Sequence, residues 1–143
     1  MQNTFVAKAS VTIHSPVAKV WDALVNPEII KEYLFGTKAE SDWKVGSSIT
    51  YSGEYKGFKY QDRGVVLALE PNKLLKTTYW SSMSGKPDKP ENYQIVTYTL
   101  ESKGEETTLT VLQENVASEK DRDHSGENWN MVLGTIKKIL EVS

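Results

Sequence analysis

The chain has 143 residues, with 17 Lys or Arg against 19 Asp or Glu, a formal net charge of −2, and 38% apolar residues. These values describe one ordinary water-soluble domain large enough to bury a core, and the balanced charge argues against a nucleic-acid partner. With no Cys and only two His, His14 and His124, disulfides, thiol nucleophiles and thiolate metal sites are excluded, and an imidazole-based metal site has little to build on.

Residues 3–14 alternate, with Phe5, Ala7, Ala9, Val11 and Ile13 on one face and Val6, Lys8, Ser10, Thr12 and His14 on the other, which predicts a half-buried strand. Ser15-Pro16 predicts a helix start, Ser15 capping free N–H groups and Pro16 at the first helical position. Val17, Val20, Trp21, Leu24 and Val25 then recur at helical spacing. Asn26-Pro27-Glu28 repeats the start signal and predicts a second short helix running to about Tyr33. From Thr37 to Asn115 the pattern is strands and turns: Ala39 to Trp43, Ser48 to Tyr55, Phe58 to Glu70, Leu74 to Trp80, Asn92 to Ser102 and Thr107 to Asn115. The turns are Lys44-Val45-Gly46, Gly57, Glu70-Pro71-Asn72-Lys73 and Lys103-Gly104-Glu105-Glu106, with a polar, Pro-bearing loop at residues 81–91. Six consecutive strands of this kind predict an antiparallel meander.

Residues 118–141 predict a long helix, roughly 36 Å at 1.5 Å per residue. Ser118 is placed to cap it, with Asp121 three residues on, and Glu119, Asp121 and Asp123 favour the positive end of the helix dipole as Lys137 and Lys138 favour the negative end. Trp129, Val132, Leu133, Ile136 and Leu140 form one apolar stripe. Projected backwards, the stripe passes through Gly126, Ser125, Arg122 and Ser118. The helix is therefore bulky and apolar in its second half, and small or polar in its first. Either a pocket lies beneath residues 118–129, or those first turns overhang the sheet and face water. The expected fold class is α+β: a curved, seven-stranded antiparallel sheet, two short helices after strand one, and a long C-terminal helix across one sheet face, all in one domain.

In the long strand, Phe58, Tyr60 and Asp62 share one parity and Val65, Leu67 and Leu69 the other, with Gly64 between them. A bulge at Gly64 would bring all six to one face and turn Asp62 or Arg63 inward; the alternative is that both charges reach solvent. The aromatic residues expected to point inward are headed by Trp129, Tyr51 and Tyr60. The candidate cavity set is Tyr51, Phe58, Tyr60, Asp62, Arg63, Tyr79, Tyr98, Arg122, Ser125 and Trp129. No phosphate-cradling glycine loop and no Gly-x-Ser-x-Gly elbow occurs. His124 could meet a serine, either Ser125 or one in the 81–84 loop, but more simply sits exposed in the first helical turns. No catalytic residue, metal or cofactor is assigned.

Four strings carry a family resemblance: Ile13-His14-Ser15-Pro16-Val17-Ala18-Lys19-Val20-Trp21-Asp22-Ala23-Leu24; Asn26-Pro27-Glu28 with Tyr33-Leu34-Phe35; Gly64-Val65-Val66 leading to Glu70-Pro71-Asn72-Lys73-Leu74; and His124 through Trp129 with Leu133 and Ile136. Together they resemble the START-like, or helix-grip, superfamily of birch-pollen-allergen and polyketide-cyclase relatives. The nearest resemblance is to homologues of the C-terminal domain of the heat-shock protein 90 ATPase activator. One departure is Asn128, where such sequences often carry Gly before the Trp. The resemblance implies a sheet gripping the last helix around an apolar cavity, and no reaction. It leaves three roles to weigh: a binder of a small hydrophobic, lipid-like or polyketide-like molecule; a chaperone-interacting or stress-response module; and a cyclase- or hydrolase-type enzyme using the same cavity. The expected context is cytoplasmic, as a monomer or weak dimer, with no membrane or nucleic-acid partner.

Overall fold

A computed structural model of the protein describes residues 5–34, 36–55, 57–81 and 85–142. The expectations that touch residues 3 and 4, Phe35 and residues 82–84 lie outside them. The elements run β1 (Phe5–Ile13), α1 (Val17–Val25), α2 (Pro27–Tyr33), β2 (Lys38–Ser41), β3 (Ser48–Tyr55), β4 (Phe58–Glu70), β5 (Leu74–Tyr79), a short 3-10 turn (Pro90–Asn92), β6 (Gln94–Lys103), β7 (Glu106–Val116) and α3 (Glu119–Val142). The seven strands form one antiparallel sheet in the order β1-β7-β6-β5-β4-β3-β2. Strands two to seven are thus the predicted meander, and β1 closes onto the last of them.

The β1 alternation behaves as its period requires. Ala7, Ala9 and Ile13 are buried, while on the other face Ser10 and Thr12 pair with Thr110 and Thr108 of β7 through hydroxyl contacts of 3.2 and 3.3 Å. α3 lies on β1 and β7. Its stripe Val132, Leu133, Ile136 and Leu140 is buried, and joins Ile13, Val20, Leu24, Ile30, Leu109 and Val111 in the core. Full burial of side chains such as Leu133 and Ile136 contributes about 1.5–3 kcal/mol each. The end of α3 is tied to the end of β1. Lys137 Nζ donates to Thr12 O (2.9 Å) and to Glu141 Oε2 (2.6 Å), which also accepts the His14 N–H (2.7 Å). The Lys137 hydrogen bond, then the His14 amide, hold the Glu141 carboxyl below its ordinary pKa.

The helix starts divide between expectation and correction. Asn26 Oδ1 accepts the Glu28 N–H at 3.0 Å with Pro27 in the first turn, and Ser118 Oγ accepts the Asp121 N–H at 3.1 Å; both are the predicted caps. Ser15 does not cap α1: the extended residue at that end is Pro16, and no side chain bonds the first turn. Ser15 is instead held in the turn off β1, its N–H on Ile13 O and its carbonyl accepting the Thr107 hydroxyl, each at 2.9 Å. β2 ends at Ser41, short of the predicted Trp43, because Trp43 takes a left-handed φ of 53° that breaks the extended run.

The bulge expected at Gly64 is absent there. β4 keeps one register against β3 from Tyr55↔Phe58 to Ser48↔Val65, and the register shift against β5 falls between Val66 and Ala68. Gly64 serves another purpose. A Cβ at this position would stand 1.9 Å from Thr78 O, so the backbones of β4 and β5 meet where only glycine fits. The even parity of Tyr60, Asp62 and Val66 therefore faces inward, and Val65 and Leu67 remain on the outer face, 38% and 41% exposed.

Candidate functional site

The two halves of α3 pack differently. Beyond Val132 it is sealed on the sheet; before it, Ser125, Asn128 and Trp129 border a cavity of about 550 Å³. The sheet supplies the opposite wall from the inward residues of β3 to β7, including Tyr51, Tyr60, Asp62, Thr77, Val96 and Gln113. α1 and α2 close one side with Leu24, Ile30, Tyr33 and Leu34.

Seven members of the candidate set, Tyr51, Tyr60, Asp62, Tyr79, Tyr98, Ser125 and Trp129, line this cavity. Phe58, Arg63 and Arg122 do not. Phe58 is at the tip of the β3–β4 hairpin, opposite Tyr55, and is 69% exposed. Arg63 follows the outward parity of β4 and reaches Asp88 at 3.4 Å. Arg122 shares the helical stripe, but its guanidinium stands over the Phe5 ring, 5.6 Å from the centroid. His124 is exposed. Sequence reasoning missed the contributions of α1 and α2, whose apolar residues carry the same periodicity whether they fill a core or wall a cavity. It also missed Gln113, although its place on the inward parity of β7 beside Leu109 and Val111 was a readable signal.

The wall is organised by phenols. Tyr33 Oη donates to Ala23 O at 2.9 Å, fastening α2 to α1. Tyr60 Oη and Thr37 Oγ1 are 2.5 Å apart. Tyr79 Oη donates to Asp62 Oδ2 at 2.8 Å. Tyr51 meets the Tyr79 ring edge-on at 6.3 Å, and Tyr98 meets Trp129 edge-on at 5.8 Å. Trp129 Nε1 donates to Gln113 Oε1 at 2.8 Å, and Gln113 Nε2 donates in turn to Gln94 Oε1. This buried amide chain fixes the Trp129 indole at the cavity edge. Burial raises the pKa of Tyr33, Tyr51, Tyr79 and Tyr98, Tyr51 to about 12, with the Asp62 charge adding to the rise at Tyr51 and Tyr79. The phenols are therefore neutral hydrogen-bonding groups at physiological pH. Among the described residues that line the cavity, Asp62 is the one that carries a charge.

On the far side of Tyr79, Gln113 and Ser125 lies a second, more polar cavity of about 590 Å³, reaching Trp80, Lys86, Asn92, Asn115 and His124. Among the described residues no three His, Asp or Glu side chains gather as metal ligands, and no helix is long and apolar enough to cross a membrane.

The family model for Activator of Hsp90 ATPase homolog 1-like proteins matches residues 14–141. The chain belongs to this family. Among solved structures, ChR145 from Cytophaga hutchinsonii is 45% identical, with a TM-score of 0.87 over 99% of this chain and 97% of that one. The Aha1 dimer from Colwellia psychrerythraea is 20% identical, with a TM-score of 0.76 over 96% of this chain and 97% of that one. DynU16, from the dynemicin biosynthetic locus, is 20% identical, with a TM-score of 0.77 over 95% of this chain and 47% of that one. No curated protein matches the chain. The seven-stranded sheet clasping a long last helix is the helix-grip fold of the START-like superfamily, as the resemblance implied.

Proposed function

We propose that this family member is a binding protein for a small, largely apolar molecule held between the sheet and the first half of α3. The observation that carries this reading is the cavity of about 550 Å³ lined by Leu, Ile, Val and aromatic side chains with a few placed hydroxyls. That size and lining are those of a ligand pocket, in which apolar walls supply affinity and a small number of polar groups supply orientation. Hydrogen-bonding side chains on a largely apolar wall would be costly to leave dry without partners; here Tyr33, Tyr60, Tyr79 and Trp129 have protein partners. DynU16, which shares the fold, is a protein of the dynemicin biosynthetic locus, in keeping with a small-molecule role. Native mass spectrometry of freshly purified protein tests the reading. A co-purifying apolar molecule, released on denaturation, is expected. Protein that is free of small molecules and fails to take up naphthalene-sized apolar probes would refute it.

A chaperone-interacting role is the second reading, favoured by the match to activator-of-Hsp90-ATPase-like proteins along residues 14–141. It uses the outer surface rather than the cavity. Retention of heat-shock protein 90 on the immobilised protein supports it, and absence of retention argues against it.

A further inference from the structure

The second cavity, of about 590 Å³, meets the apolar one across Tyr79, Gln113 and Ser125, which line both. Its wall has a different chemistry. Asn92, Gln94, Gln113 and Asn115 give it four carboxamides, and Trp80 gives it an indole. Each of these is held in place by the protein. Asn115 Nδ2 donates to Tyr93 O at 2.9 Å and to Glu91 O at 3.2 Å. Asn92 Nδ2 donates to Pro87 O at 2.9 Å. Gln94 Oε1 accepts the Gln113 amide. Trp80 Nε1 donates to Lys86 O at 3.2 Å, and its ring stacks on Tyr93 with centroids 6.4 Å apart. Tyr93 lies outside the cavity lining and supports the indole from behind; its Oη donates to Asp88 Oδ1 at 2.5 Å, and Asp88 in turn holds Arg63 at 3.4 Å. Against β1, β7 carries one extra residue between Gln113 and Val116, and Asn115 there takes a left-handed φ of 67°. Asn tolerates that backbone, and a bulge of this kind re-aims a side chain beside a site.

The wall is thus a fixed set of neutral dipoles beside an aromatic platform. A carboxamide offers both donors and an acceptor, so it suits a partner that also does both. A hydroxyl-rich ring is such a partner: its edge donates and accepts, and its C–H face lies against an indole whose N–H is already committed. An anionic head gains less from neutral dipoles and meets the Glu91 and Asp121 carboxylates that also line the cavity. Because the side chains are already oriented, little ordering is needed on binding.

We propose that the second cavity is the subsite for a neutral, polyhydroxylated group, a sugar or polyol, carried by the apolar molecule that fills the first. The ligand is then a glycoside-like amphiphile lying across the Tyr79–Gln113–Ser125 boundary. This rests on the apolar cavity's being a ligand site and adds the class of its polar part.

The test is isothermal titration of the intact protein with 2-naphthol, 2-naphthyl glucoside, 2-naphthyl phosphate and free glucose. The glucoside is expected to bind about tenfold more tightly than naphthol, the gain of a few net hydrogen bonds. Naphthyl phosphate should bind more weakly than the glucoside, and glucose alone more weakly still. Trp80→Leu and Asn92→Ala should each bring the glucoside down towards the affinity of naphthol, with the circular-dichroism melting midpoint as the check on folding; Asn92→Ala carries the test if Trp80→Leu does not fold. A glucoside no tighter than naphthol, a phosphate tighter than the glucoside, or an advantage that survives Asn92→Ala overturns this inference while the binding role stands. Glucose as tight as the glucoside overturns the joined ligand. Failure of naphthol and glucoside alike overturns both readings.

Discussion

Gly64→Ala puts the close approach of β4 and β5 to a direct test. The φ of Gly64 lies outside the left-handed region, so alanine is allowed by the backbone. In a strand interior the change would stabilise by about 0.5–1 kcal/mol if space were available. Space is not available: the new methyl would stand 1.9 Å from Thr78 O and 2.9 Å from Thr78 C, where ordinary contact begins at 3.4 Å. The obstacle is backbone in a paired strand and cannot rotate away. Relief requires the strands to part, which stretches Arg63 N–H to Trp80 O, Trp80 N–H to Arg63 O (each 2.8 Å) and Val65 N–H to Thr78 Oγ1 (2.9 Å). With each hydrogen bond worth about 0.5–1.5 kcal/mol net, and overpacking costing about 1–3 kcal/mol, the expected loss is about 3 kcal/mol. That is a fall in melting midpoint of about 6–12 °C for a domain of this size. Gly53→Ala is the control: its methyl meets only the tip of the Tyr60 side chain, Oη at 2.4 Å, which can swing aside at the expense of its contact with Thr37. Urea unfolding followed by circular dichroism measures both. A Gly64→Ala variant within about 1 kcal/mol of the parent, or less damaged than Gly53→Ala, would refute the reasoning.

Two further outcomes follow from the core and the phenols. Leu133→Ala, at a position 1% exposed beneath α3, should cost about 2–5 kcal/mol in urea unfolding; a loss under about 1 kcal/mol would show that the helix is not sealed there. Tyr33, Tyr51, Tyr79 and Tyr98 have pKa values raised by burial above the ordinary 10.0. Their contribution to stability is therefore complete below about pH 10 and is lost as pH rises through the folded-state values. Phenolate absorbance should rise for these groups in one step coincident with unfolding; a gradual titration of all the tyrosines near pH 10 with circular dichroism intact would contradict their burial.

The order of elements was legible because each signal is local. Period-two alternation marked β1, Asn26 and Ser118 marked two helix starts, and the Trp129–Leu140 stripe marked α3. What was misread depended on neighbours distant in sequence. A bulge and a close backbone approach both place a glycine inside a strand, so Gly64 alone cannot distinguish them; Thr78 decides, 14 residues away. Phe58 has the inward parity, yet parity buries a side chain only where another layer covers it, and the hairpin tip has none. Arg122 has the stripe's phase, yet it reaches Phe5 at the start of β1 rather than the cavity. Tyr51, Asp62, Tyr79 and Tyr98 were readable as inward residues, while their convergence on one space depends on the pairing of β3, β4, β5 and β6.

The cavity and the stability of the domain come from different stretches of one helix. From Val132 onward, α3 carries the large apolar residues that bind it to β1 and β7, and the Lys137–Glu141–His14 contacts fasten that end. Before Val132 the helix offers Ser125, Gly126 and Asn128, which are too small or too polar to fill the space above the sheet. Trp129 stands at the junction, its ring against Tyr98 and its N–H on Gln113. Because the sealed half holds the helix in place, the open half does not have to pack, and an empty volume is tolerated where a core would otherwise collapse onto it. Changes confined to residues 125–128 should therefore reshape the cavity with little loss of stability, whereas changes from Leu133 to Leu140 should cost stability first.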